Sequence, residues 1–124
     1  MAERRTRVVC VVDDDESLRR SVRNLLSSVG FPVETFASAE EFLASTNRAD
    51  AGCLVLDLRM AGMNGLDLLR HLAATDSWIP VIILTAHGDE EARRQSLEAG
   101  AVAFLGKPFR SDALLDAVKT ALGT

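Results

Sequence analysis

Apolar residues along the chain follow two patterns that take turns. Short unbroken runs alternate with segments in which apolar positions recur every three or four residues. The first run, Val8–Val12, reads as a short buried strand. Leu18, Val22, Leu25, Leu26 and Val29 then recur at helical spacing, and Gly30 supplies the stop. Residues Pro32–Ala37 ("PVETFA") predict a second, weaker strand. Ser38 with Glu41 three residues later has the form of a capping box, opening a helix that reaches about Thr46. A third strand is expected over Cys53–Leu58 ("CLVLDL"), followed by the turn "AGMNG" and a helix carrying Leu66, Leu69 and Leu72. "PVIILT", Pro80–Thr85, is the fourth strand. The segment from Asp89 to Gly100 has a helical pattern whose apolar face is little more than Ala92 and Leu97. Val102–Leu105 is the fifth strand, and Leu114, Leu115, Val118, Ala121 and Leu122 line a last helix.

Strands alternating with helices in this way imply a parallel sheet covered on both faces, a three-layer α/β domain. Right-handed crossovers restrict its connectivity further. In such sheets ligands bind beyond the carboxyl ends of the strands, where the strand order reverses. Function is therefore expected in whatever the strand ends carry.

Composition narrows the classes. A chain of 124 residues sits within the single-domain range and can bury a core. With 48% hydrophobic and 26% charged residues it is globular rather than disordered. A net charge of −4 argues against a general nucleic-acid-binding surface. The basic start "MAERRTR" precedes too short an apolar run for a signal peptide, and no segment approaches a membrane span, so a soluble, cytoplasmic protein is expected. Cys10 and Cys53 lie inside apolar runs and read as buried free thiols. With no CxxC spacing and only His71 and His87 as histidines, zinc is not expected.

The strand ends carry chemistry. The first ends in Asp13, Asp14 and Asp15, with Glu16 next; the third in Asp57; the fourth in Thr85; the fifth in Lys107. Asp14 or Asp15 is also a candidate N-cap for the following helix. Lys107, one of two lysines in the chain, stands between Gly106 and Pro108. Its compact ammonium suits a single anionic oxygen. Two charges about 4 Å apart repel by roughly 4 kcal/mol at an effective dielectric near 20, and a hard divalent cation removes that penalty. A few carboxylates with retained waters suit Mg²⁺. Asp57, alone at the end of a central strand, is the better nucleophile for an aspartyl phosphate, and Asp13 and Asp14 are better placed to hold metal.

The stretches "VVDDDE", "LVLDLRMAGMNG", "VIILTAHG" and "FLGKPF", in this order and spacing, resemble the receiver domain of two-component response regulators. The wording is most similar to the branch that regulates nitrogen-fixation genes, where a helix-turn-helix DNA-binding domain typically follows. The resemblance implies a flavodoxin-like (βα)5 doubly wound parallel sheet with strand order 2-1-3-4-5, occupying residues 1–124 as one receiver domain. Asp57 would accept a phosphoryl group from the phosphohistidine of a sensor histidine kinase. Asp14 would bind Mg²⁺ directly and Asp13 mainly through water, with Asp57 and the Arg59 backbone carbonyl completing the protein ligands. Thr85 would hydrogen-bond the phosphoryl group and Lys107 would pair with it. Phe104 matches the switch aromatic, and a cis peptide is implied at Lys107–Pro108. The weakly apolar helix after Thr85 is the natural moving part. A phosphorylation-dependent homodimer is implied, with no direct nucleic-acid binding by this chain, no membrane partner and no enzyme activity beyond its own phosphotransfer and dephosphorylation.

The chain departs from the family pattern at Ala61, where a proline is usual; this is expected to loosen the turn after Asp57. Arg59 and His87 fall at variable positions that influence aspartyl-phosphate lifetime in the family, and Arg59 is a candidate to reach over the acids when no ion is bound. No output domain follows, which points to an excised receiver or a single-domain regulator. Two other readings stand beside this one. A phosphatase of the haloacid dehalogenase type also places acids after its first strand, but paired acids at a late strand and a cap are missing. A degenerate receiver acting only through protein contacts is opposed by the intact set Asp13, Asp14, Asp57, Thr85 and Lys107.

Overall fold

The apolar runs become strands because they are rich in β-branched or aliphatic residues, and a proline directly precedes two of them, the second and the fourth. The computed structural model describes residues 8–45, 50–75, 79–86 and 89–123. Elements follow in the order β1 (Val8–Val12), α1 (Glu16–Ser28), β2 (Val33–Phe36), α2 (Ala39–Ala44), β3 (Ala51–Leu56), α3 (Gly65–Ala74), β4 (Val81–Thr85), α4 (Glu90–Glu98), β5 (Ala103–Gly106) and α5 (Ser111–Leu122). The sheet is parallel with strand order β2-β1-β3-β4-β5, the expected doubly wound arrangement. The reversal of order falls between β1 and β3.

Alternation along the central strands sends side chains into two apolar layers. Cys10, Val12, Leu54, Leu56 and Ile83 face one layer, closed by Phe42 of α2 and Leu68, Leu69 and Leu72 of α3. Val9, Val11, Cys53, Val55, Ile82 and Leu84 face the other, closed by Val22 and Leu26 of α1 and Leu114, Val118 and Leu122 of α5. Cys10 and Cys53 therefore lie on opposite faces of the sheet, both buried and free.

Several boundaries differ from the sequence expectation. β3 runs over Ala51–Leu56 rather than 53–58, because Ala51 pairs with Val8 across an irregularity and the last paired residue is Leu56, with the chain bending at Leu58. Pro32 and Pro80 fall outside their strands; lacking an N–H, each contributes only a carbonyl, accepting from Val9 and Leu54 at 2.9 Å. β5 begins one residue late, leaving Val102 56% exposed. The expected face of α4 is corrected: Leu97 is 40% exposed, and the buried residue is Ser96. Val29 is also exposed, acting as the C-cap of α1 before Gly30, whose φ of 95° ends the helix. α2 stops at Ala44 with Ser45 as its extended C-cap, short of the expected end at about Thr46.

Candidate functional site

Backbone pairing continues past the formal strand ends, and this fixes the rim of the sheet. The Asp13 amide donates to the Phe36 carbonyl at 3.1 Å, the Asp57 amide to the Val12 carbonyl at 3.1 Å and the Lys107 amide to the Thr85 carbonyl at 3.0 Å. Each candidate side chain thus springs from backbone tied to a neighbouring strand. Asp15 is the N-cap of α1, accepting from the Ser17 and Leu18 amides at 2.9 and 3.3 Å. That leaves Asp13 and Asp14 for the rim.

Carboxylate oxygens of Asp13, Asp14 and Asp57 lie within 4.8 Å of one another. Asp13 and Asp57 are only 2% and 5% exposed, and Asp14 is exposed. Lys107 Nζ sits 2.8 Å from Asp13 Oδ2 and 3.5 Å from Asp57 Oδ2. The lysine is thus the hydrogen-bond donor of Asp13 first and the neighbour of Asp57 second. Burial pushes the Asp13 carboxyl above its ordinary range; hydrogen bonds from Lys107 and the Asp15 amide oppose this, and the Asp57 charge adds to it. Burial by itself would lower the Lys107 ammonium, yet the Asp13 hydrogen bond and the charges of Asp13 and Asp57 outweigh it and raise its pKa.

One atom is left over. Asp57 Oδ1 is buried and has no hydrogen-bond partner among the described residues. Three clustered carboxylates, one with a buried oxygen that has no hydrogen-bond partner among the described residues, are the donor set a small hard divalent cation takes. The residues present fit Mg²⁺.

The remaining candidates fall as follows. Thr85 closes β4, fully buried and in register with Gly106. Phe104 is half-buried on β5, paired with Ile83 and packed against the same apolar layer. Thr85, two residues beyond Ile83, shares that sheet face. Arg59 does not reach over the acids; it is exposed and pairs with no acid among the described residues, and Lys107 fills that role. His87 lies outside the described residues. The Lys107–Pro108 peptide is cis.

Three residues of the site were not singled out by sequence reasoning. A Cβ added to Gly65 would stand 2.1 Å from the Asp57 carbonyl oxygen, so only glycine lets α3 start against the backbone of Asp57. Arg19 Nη1 donates to the Asp13 carbonyl at 2.7 Å, bracing the acidic turn from one helical turn away. Glu40 Oε2 accepts from the Met63 amide at 2.9 Å, joining α2 to the loop after Asp57. Gly65 follows an Asn cap, which is a readable signal for a tight helix start; the other two contacts have none.

Clustered acids and one lysine, at the switch point of a doubly wound parallel sheet, define a class: α/β domains that gather a cation and an anion around one carboxylate. Within that class the chain belongs to the response regulator receiver domain family, which it matches over residues 9–119. It is 49% identical over 114 residues to nodulation protein W of Bradyrhizobium diazoefficiens, covering 92% of this chain and 50% of that protein. It is 40% identical over 114 residues to the transcriptional regulatory protein FixJ of the same organism, covering 92% and 56%. The solved structure of the response regulator StyR matches with a TM-score of 0.88 at 48% identity, over 95% of this chain and 60% of that one. The chain spans about half the length of the curated relatives it matches. Among the described residues no helix is long and apolar enough to cross a membrane.

Proposed function

We propose that the chain is the phosphoacceptor of a two-component regulator, with Asp57 taking a phosphoryl group from the phosphohistidine of a sensor histidine kinase. The observation that carries this is the buried Asp57 Oδ1, without a hydrogen-bond partner among the described residues, beside Lys107 and two further carboxylates. In the transfer the phosphorus–nitrogen bond breaks, an Asp57 oxygen–phosphorus bond forms and the histidine leaves as imidazole. The transition state needs alignment and charge neutralisation more than covalent help. Asp57 is aligned by its amide bond to β1 and by Gly65 beneath its carbonyl. Lys107 neutralises charge on the transferring group, within reach because it already lies 3.5 Å from Asp57. Asp13, Asp14, Asp57 and the Arg59 carbonyl would hold Mg²⁺, whose charge relieves the crowding of the acids and adds to that neutralisation.

Thr85 and Phe104 share a sheet face at the rim, which supports a switch in which Thr85 bonds the phosphoryl oxygens and Phe104 moves further inward. α4 has a single buried residue, Ser96, and no large apolar side chain buried, whereas each of the other helices buries two or more residues. The outcome is phosphorylation-dependent pairing of two copies, or control of an output domain in a longer regulator of transcription. The chain catalyses only its own phosphorylation and dephosphorylation and does not itself bind nucleic acid.

Incubation with a small acyl phosphate or with a phosphomonoester, each with Mg²⁺ or with a chelator, tests this. We expect slow, saturable incorporation from the acyl phosphate only when Mg²⁺ is present, and no sustained release of phosphate from the monoester. Sustained monoester turnover would replace this reading with a phosphatase.

A further inference from the structure

The loop between β3 and α3 has to be held in shape, because it runs on from Asp57 and carries the Arg59 carbonyl. Its two ends are pinned: the Gly65 amide donates to the Leu58 carbonyl at 2.9 Å, and Asn64 caps α3 by accepting from the Asp67 amide at 2.8 Å. Between the pins Met60 and Met63 pack against the apolar layer, whereas Ala61 and Gly62 are exposed and bring no side chain to anchor. Ala61 lacks a ring that would fix its φ, and Gly62 sits at φ 79°. Among the described residues, a single hydrogen bond joins residues 59–64 to an element outside their own flanks: Glu40 Oε2 to the Met63 amide, 2.9 Å, across 23 positions of sequence.

Glu40 springs from a rigid base. Its neighbour Ala39 and, one turn on, Phe42 are fully buried, and the ring of Phe42 meets that of Phe36 edge-to-face at 5.5 Å. Ser38 accepts from the Glu41 amide and Glu41 from the Ala37 amide, so the first turn of α2 is locked from both sides. Gly62 is also shaped for the contact, since a Cβ there would lie 2.8 Å from Glu40 Oε2. The Met63 amide, and after it Glu40's own amide, hold the Glu40 carboxyl below its usual range, as expected for a carboxylate that is a working acceptor.

We infer that Glu40 is a positioning residue for phosphoryl acceptance: a clasp from α2 that fixes the loop after Asp57, and through it the Arg59 carbonyl, in the shape the cation needs. This rests on the proposed function for its consequence, but the clasp itself is a separate claim about the free chain. Glu40 touches neither the acids nor the lysine. It acts by limiting the conformations of an exposed loop, which lowers the ordering cost when the site is filled.

The test uses the full chain as wild type, Glu40→Ala and Glu40→Gln. Amide hydrogen exchange at Met63 is followed by NMR without divalent ions, and Mg²⁺ affinity by calorimetric titration. Glutamine keeps an oxygen acceptor and removes the charge. We expect faster Met63 exchange in Glu40→Ala, with Mg²⁺ affinity lower by about fivefold, less than the tenfold or more typical of groups that hold a ligand directly. Glu40→Gln should recover most of both. Unchanged Met63 exchange in Glu40→Ala would overturn the clasp whatever the metal does. Equal Mg²⁺ affinities despite faster exchange would overturn the positioning role, as would a glutamine variant as weak as alanine, which would mark a field effect of the charge. Wild type that binds no Mg²⁺ would overturn the proposed function itself, with the exchange data still deciding whether the clasp exists.

Discussion

Gly65 and the two cysteines show how much a single position contributes without taking part in chemistry. An alanine at 65 would put its Cβ 2.1 Å from the Asp57 carbonyl, so backbone must move. We expect Gly65→Ala to cost about 1–3 kcal/mol, the range for overpacking, read as a lower urea midpoint, and to slow phosphoryl acceptance because the displaced atom belongs to Asp57. Burial pushes the Cys10 thiol from the ordinary 9.0 up to about 12, with the Glu34 charge adding to it. Burial does the same to Cys53, up to about 12, with Cys10 as the lesser cause. Between those pH values the unfolded chain has lost thiol protons that the folded chain retains, so stability falls as pH rises through that window and is unaffected below it. The slope is at most about 1.4 kcal/mol per pH unit for each thiol, and denaturation of wild type against Cys10→Ala and Cys53→Ala measures it. Neither thiol should react with a disulfide reagent at pH 8 while the chain is folded. Asp13, Asp57, Thr85 and Lys107 were legible in the sequence because each interrupts or follows an apolar run. Glu40 and Arg19 were not, because each works through a backbone atom of a partner that linear spacing does not reveal; at Gly65 the Asn cap signals the helix start but not the contact with Asp57.

Elements were legible where one periodicity ruled. β1 starts and stops at the expected residues, and α1 and α5 bury the expected residues Val22, Leu26, Leu114, Val118 and Leu122. Ser38 does open α2, accepting from the Glu41 amide at 3.0 Å. Ser38→Ala should therefore cost about 1 kcal/mol, as removal of a serine cap usually does, and a loss far below that would mean the helix is held by Phe42 alone. α4 was misread because its packing face is small and polar: Ala92, Gln95, Ser96 and Ala99 turn inward, and the conspicuous Leu97 turns out. Ser96 Oγ is buried with no hydrogen-bond partner among the described residues. Replacing it by alanine removes an unsatisfied hydroxyl and improves helix propensity, so Ser96→Ala should raise stability by about 1 kcal/mol in urea denaturation. If the same substitution slows the response to phosphorylation, α4 is the element that moves.

At the scale of the molecule the fold and its site pull against each other. The sheet gathers Asp13, Asp14 and Asp57 into a space where their charges repel, and one lysine answers for two of the three acids, Asp13 and Asp57. Such a site should be stabilised by whatever neutralises it. Mg²⁺ at a hundred times its dissociation constant should raise the folding free energy of wild type by about 2.7 kcal/mol, seen as a higher thermal midpoint, and the shift should shrink in Asp13→Asn. The parallel arrangement and the position of the site were legible because alternating periodicities imply a parallel sheet, and parallel sheets put ligands at their carboxyl rim; the strand order 2-1-3-4-5 came from the family resemblance. The charge balance at that rim needed distances. Intact mass after incubation with Mg²⁺ and a small acyl phosphate, for wild type and Asp57→Asn, is the most direct measurement of all. We expect one phosphoryl group on the wild type, lost when Mg²⁺ is chelated and absent from Asp57→Asn; an adduct that persists in Asp57→Asn would contradict the assignment of Asp57 as the acceptor.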